Sequence, residues 1–232
     1  MILNWGGIMS DTNTEDYVYG KLKNAIFKRY IRPDTRLVES KIAEQLGVSR
    51  TPVRGAIKRL AHDGFVKLSN NKGASIVKPT TKEIYDTFAV RAQLEKMAAA
   101  RAIENLTAED VQKLELYLSG EIDTFAKRDI GVYYNLNFDF HIYLAEISNN
   151  MILREYLSSI INRSHIYLIL YENFYQLEYN PSYDEHKEII EAIKNKNVRQ
   201  CEKAIDKHFK TTLEGLKLEE AEKAPADEFL IL

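Results

Sequence analysis

Apolar residues recur at three- and four-residue spacing between Thr14 and Tyr30, at Val18, Leu22, Ala25 and Ile26, with Glu15 and Asp16 in the first turn. This pattern predicts an amphipathic helix, which Arg32-Pro33-Asp34 stops. A short second helix is predicted from Ser40, read as its N-cap, to Leu46, with Gly47 supplying the left-handed residue that ends it. Ser49 then caps a third helix that runs through His62, with Pro52 tolerated in its first turn. Phe65-Val66-Lys67-Leu68 and Ala74-Ser75-Ile76-Val77, joined by a polar turn, read as a β-hairpin. Beyond Pro79 the period is helical throughout, and six helices are expected at 81–104, 107–127, 130–148, 150–177, 182–195 and 197–217. Thr107 with Asp110 forms a near capping box, and Asn197 can cap the last helix.

The expected fold is therefore mainly α, a winged helix-turn-helix followed by an all-α antiparallel bundle. Four segments are delimited: an N-terminal extension at 1–14, the winged unit at 15–79, the bundle at 80–218 and a loose tail at 219–232. Trp5-Gly6-Gly7 can be encoded by purine-rich codons resembling a ribosome-binding site, which makes Met9 a candidate start.

Charge sharpens this division. The 232 residues carry a net charge of −2, which by itself points to no polyanion or membrane. Between Glu15 and Thr80, however, 14 Lys/Arg face 6 Asp/Glu, a net +8; from Thr81 onward 18 face 27, a net −9. The single cysteine, Cys201, excludes an internal disulfide framework and fits a reducing compartment. No apolar run approaches the roughly 20 residues of a membrane span, so a cytoplasmic protein is expected.

A basic helix-turn-helix with a wing is expected to read DNA, its second motif helix entering the major groove, the alternative being a solvated face whose motif packs against a partner protein. At the start of that helix Arg50 and Arg54 share one face and can grip a guanine edge or a phosphate bidentately. The hydroxyls of Ser49 and Thr51, with Ser40 on the preceding helix, suit phosphate oxygens. The wing tip Asn71-Lys72-Gly73 suits the minor groove or the backbone.

In the bundle half, Arg91 falls in the middle of a stripe formed by Ile84, Phe88, Leu94, Ala98 and Ala102. A buried guanidinium needs an anion, either Glu95 one turn on or the carboxylate of a ligand. His141 shares a stripe with Tyr134, Asn137 and Leu144; His186 lies among Ile189, Ile190 and Ile193; His208 lies with Cys201, Ala204, Ile205 and Thr212. Three core-facing histidines on three helices, with the amide oxygen of Asn137 in phase with the first, suggest a mixed nitrogen and oxygen site for a divalent metal. Asp139 points to the opposite side of its helix.

The segments Leu37-Val38-Glu39, Ile42 to Arg54, Ala56 to Leu60, Asp63 to Val66 and Asn71 to Ala74 resemble the signature of GntR-family bacterial transcription regulators. Gly55 departs from the acidic residue usual there and loosens its helix by about 1 kcal/mol. Val90 to Glu95, Asn137 to His141, Glu185 to Ile189 and His208 resemble the FCD effector domain of the FadR branch. This resemblance implies a non-enzymatic regulator, expected to be a repressor, which binds a pseudo-palindromic double-stranded operator as a homodimer. It also implies a divalent Zn, Ni or Mn held by Asn137, His141, His186 and His208, with Arg91 receiving a small carboxylate effector. Asn137 stands where many members have Asp, and a neutral amide is the weaker ligand. The alternatives are a metal-free acyl-CoA sensor, against which the three histidines argue, and a metal-dependent enzyme, for which no in-phase general base stands out.

Overall fold

The computed structural model describes residues 11–69, 73–172 and 174–218. It divides into two compact units, the first reaching Lys78 and the second beginning at Pro79. The candidate start at Met9, the wing residues Asn71 and Lys72, and the tail from 219 lie outside the described residues.

In the first unit, α1 (Asp11–Phe27) begins three residues before the predicted start and ends three residues early. The early end follows from Arg29, which takes a left-handed backbone (φ 60°). This lets the Tyr30 N–H reach back to the Ala25 carbonyl at 2.9 Å and close the helix. A two-residue strand β1 (Arg36–Leu37) follows, too short to leave a period in the sequence. Then come α2 (Glu39–Leu46), α3 (Arg50–His62), β2 (Val66–Ser69) and β3 (Gly73–Ile76). The sheet is antiparallel in the order β1-β3-β2, with Val66 opposite Ile76 and Arg36 opposite Ser75. Val18, Leu22 and Ile26 of α1, Ile42 of α2, and Val53, Ile57 and Leu60 of α3 form the buried core beneath it.

Two predicted caps are corrected. Val38, not Ser40, occupies the N-cap of α2, which places Ser40 inside the first turn. Ser49 does stand at the N-cap of α3 with extended backbone, but its hydroxyl makes no capping hydrogen bond. Gly47 ends α2 as expected, at φ 65°, with the Val48 N–H bonded to the Ala43 carbonyl at 3.0 Å.

The second unit is helical: α4 (Thr81–Asn105), α5 (Ala108–Ala126), α6 (Ile130–Ile147), α7 (Met151–Tyr171), α8 (Pro181–Lys194) and α9 (Val198–Gly215). The capping box Thr107/Asp110 and the Asn197 cap are both formed. Helix α4 packs against α6, α7 and α9, while α5 packs against α6 and α8, and α8 against α9. Arg91 of α4 therefore looks toward the same interior as the histidines of α6, α8 and α9. The helix predicted to run unbroken to 177 ends instead at Tyr171. Glu172 is extended (ψ 133°) and forms a backbone bridge with Leu216 past the end of α9, before a single 3-10 turn at Phe174–Gln176. No helix among the described residues is long and apolar enough to cross a membrane.

Candidate metal centre and nucleic-acid face

His141, His186 and His208 meet in the core of the second unit, and one ring nitrogen of each lies within 4.8 Å of the others. All three are essentially inaccessible, with exposures of 1%, 0% and 3%. Each ring turns its Nδ1 to a buried carboxylate on a different helix or turn: His141 to Glu95 at 2.8 Å, His186 to Glu121 at 3.0 Å and His208 to Glu185 at 2.9 Å. An ionised carboxylate only accepts, so each Nδ1 carries the proton and each Nε2 presents a lone pair. The Nε2 atoms of His141 and His186 have no hydrogen-bond partner among the described residues. Buried polar atoms are rarely left unsatisfied.

Electrostatics agree with this arrangement. Burial holds His141 well below the ordinary imidazole range, helped by the positive charge of Arg91 and by its histidine neighbours. Burial also lowers His208, although the Glu185 bond pulls the other way. Neutral imidazoles are the form that binds metal.

Asn137, one turn before His141, is buried and lines a narrow polar crevice together with Arg91, Tyr134, Glu172 and His208. Asp139 is exposed, as its helical phase requires. Arg91 is 2% exposed; its Nε donates to Glu95 at 2.7 Å and its Nη1 to Ser164 at 2.9 Å, while Nη2 has no partner among the described residues. The intrahelical pair with Glu95 thus exists and still leaves one guanidinium nitrogen without a hydrogen-bond partner among the described residues.

The carboxylates of Glu121 and Glu185 were missed by sequence reasoning. A signal for Glu121 was present, because it continues the buried stripe of Leu114 and Leu118 on α5. Glu185 gave none, standing beside His186 in a helix start rich in acids.

In the first unit Ser40, Ser49, Arg50, Thr51 and Arg54 are all exposed. Glu39 joins the starts of α2 and α3: it accepts Arg54 Nε at 3.1 Å and Nη2 at 2.9 Å, and Arg50 Nη2 at 3.3 Å. The Arg54 bonds are the main reason that the Glu39 carboxyl is held below its usual range. Gly73, at φ 75°, opens β3 at the base of the wing.

Two family models match the chain: the gntR family of bacterial regulatory proteins over residues 14–76 and the FCD domain over residues 86–211. The chain is a GntR-family transcription regulator with an FCD effector domain. The regulator is 31% identical to the HTH-type transcriptional regulator YdhC of Bacillus subtilis, over 86% of this chain and 89% of that one. It is 30% identical to the Nta operon transcriptional regulator of Aminobacter aminovorans, over 80% and 88% respectively. The solved structure of E. coli McbR/YncC superposes with a TM-score of 0.64 at 24% identity, covering 90% of this chain and 99% of that one. These relatives and both matched families are transcription regulators, not enzymes, and the chain is a DNA-binding regulator of that kind.

Proposed function

We propose that this regulator is a metal-anchored sensor of a small organic acid in the FadR branch, which acts as a dimeric repressor. Residues 15–79 read a pseudo-palindromic operator through Ser40, Ser49, Arg50, Thr51, Arg54 and the wing residues Asn71, Lys72 and Gly73. Residues 80–218 bind the effector and form the dimer, and effector binding alters the spacing of the two recognition helices.

One observation carries the reading: three imidazoles, each oriented by its own buried carboxylate, bring one ring nitrogen apiece within 4.8 Å of one another in the core that also holds Arg91. His141, His186 and His208, with the amide oxygen of Asn137, would hold a divalent Zn, Ni or Mn, a donor set suited to borderline metals. When bound, the metal supplies a Lewis-acidic position for a carboxylate oxygen. Arg91 Nη2 supplies a charge-assisted hydrogen bond to the same group.

Elemental analysis of protein purified without a His tag or chelator tests the metal. About one metal per chain is expected, absent in a His141→Ala/His186→Ala variant; a metal-free wild type overturns the reading. Gel-shift titration on a selected operator, with and without the metal, then tests whether occupancy of the bundle changes DNA affinity.

A further inference from the structure

The crevice beside Arg91 has a second pole. At the end of α7 the chain is clamped against the end of α9: the Lys217 N–H donates to the Tyr171 carbonyl at 2.9 Å, and Glu172 bridges Leu216. This holds Glu172 outside the helix with its side chain lining the crevice. One carboxylate oxygen accepts the Tyr134 hydroxyl at 2.6 Å. Burial pushes this carboxyl above its ordinary range, and the Tyr134 bond only partly opposes the shift.

Glu172 differs from the other carboxylates of this interior. Glu95, Glu121 and Glu185 each face an imidazole, and Glu95 also faces Arg91. Among the described residues the ion pairs include none to Glu172. A half-buried carboxylate without a cation pays part of its desolvation uncompensated, and the missing charge is one that a ligand can bring. The chemistry of the lining suits an ammonium: its three N–H donors need acceptors, and Tyr134, Ser182 and Thr212 line the same crevice as Glu172. At the other pole Arg91 Nη2 has no hydrogen-bond partner among the described residues and can donate to a ligand carboxylate.

We propose that the acid sensed by this regulator is a small zwitterion, whose carboxylate goes to Arg91 and the histidine end while its ammonium is received by Glu172. This rests on the carboxylate-sensing reading given above and adds the second half of the recognition. Glu172 is then the residue that selects amino acids over plain or hydroxylated acids of equal length.

Calorimetric titration of the zinc-loaded full chain with matched ω-substituted sets tests this. The probes are propionate, 3-hydroxypropionate and 3-aminopropionate; butyrate, 4-hydroxybutyrate and 4-aminobutyrate; and valerate with its 5-hydroxy and 5-amino forms. In at least one set the amino member is expected to bind roughly tenfold or more tighter than both companions. Glu172→Gln is expected to bring that ratio to about one while zinc content stays unchanged; Glu172→Ala, read the same way, serves if the glutamine variant does not fold. Equal binding of hydroxy and amino members, or a preference that survives both substitutions, overturns the role of Glu172 and leaves the carboxylate sensor standing. If no member of any set binds zinc-loaded wild type, the carboxylate reading fails and the inference fails with it.

Discussion

Glu121 and His186, 65 residues apart in the chain, face each other in the core with both side chains fully buried and the imidazole Nδ1 within 3.0 Å of the carboxylate. The glutamate fixes which ring nitrogen keeps the proton, and so leaves the lone pair on Nε2, which has no hydrogen-bond partner among the described residues. Partners of this kind typically contribute 10–100-fold in metal affinity. Glu121→Gln is therefore expected to weaken zinc binding by about that factor, measured by competition with a chromophoric chelator. Unchanged affinity would mean that His186 is not a ligand.

On the DNA side, Arg50 and Arg54 are exposed side chains at the start of α3, and either can reach a base edge or a phosphate. Replacing Arg50 or Arg54 by alanine should cost about 1–3 kcal/mol in operator binding, roughly 5–150-fold in a gel-shift titration. Wild-type affinity in both variants would place the reading head elsewhere.

Gly55 has no need of glycine's backbone freedom, because its φ is not positive. What it provides is clearance: a Cβ there would stand 1.9 Å from Glu15 Oε2, the flexible end of a side chain on α1. Moving Glu15 gives up its contact with Arg59 at 3.6 Å, an exposed pair worth well under about 1 kcal/mol. Arg59 keeps Asp16 at 2.5 Å. Alanine gains about 1 kcal/mol in helix propensity, so Gly55→Ala should raise the melting temperature of the DNA-binding unit by a few degrees. A lower melting temperature in calorimetry would show that the approach of α1 to α3 forbids the methyl group.

Cys201 is 1% exposed, and burial pushes its thiol up to about 12. The unfolded thiol titrates near 8.5, so burial of the neutral thiol contributes its full stability below about pH 8.5. That contribution is lost as pH rises toward about 12. At pH 8 the native protein should resist iodoacetamide and the urea-unfolded chain should react readily, as mass spectrometry would record. Labelling of the native protein at the unfolded rate would contradict the packing of α9.

The two-part architecture was legible because helical periods are long and the basic and acidic halves differ. The three histidines were legible for the same reason: each lies in phase with apolar neighbours, so its direction follows from spacing alone. Other features needed tertiary structure. Strand β1 is two residues long and exists because β3 offers it an edge. The helix predicted through 177 stops at Tyr171 because Glu172 pairs with Leu216, more than forty positions away, and no local pattern records a partner that distant. Ser40 looked like a cap by residue type, but Val38 holds that position and Glu39 enters the helix to face Arg54.

That last contact changes what binding to DNA means for this protein. In the free regulator the Glu39 carboxylate occupies the fork of Arg54 and touches Arg50, much as a backbone phosphate would. On the proposed reading, engagement of DNA at these two arginines is an exchange of one anion for another. Fewer condensed ions leave the duplex for each arginine engaged, and the affinity should fall less steeply with salt than the count of arginines alone implies.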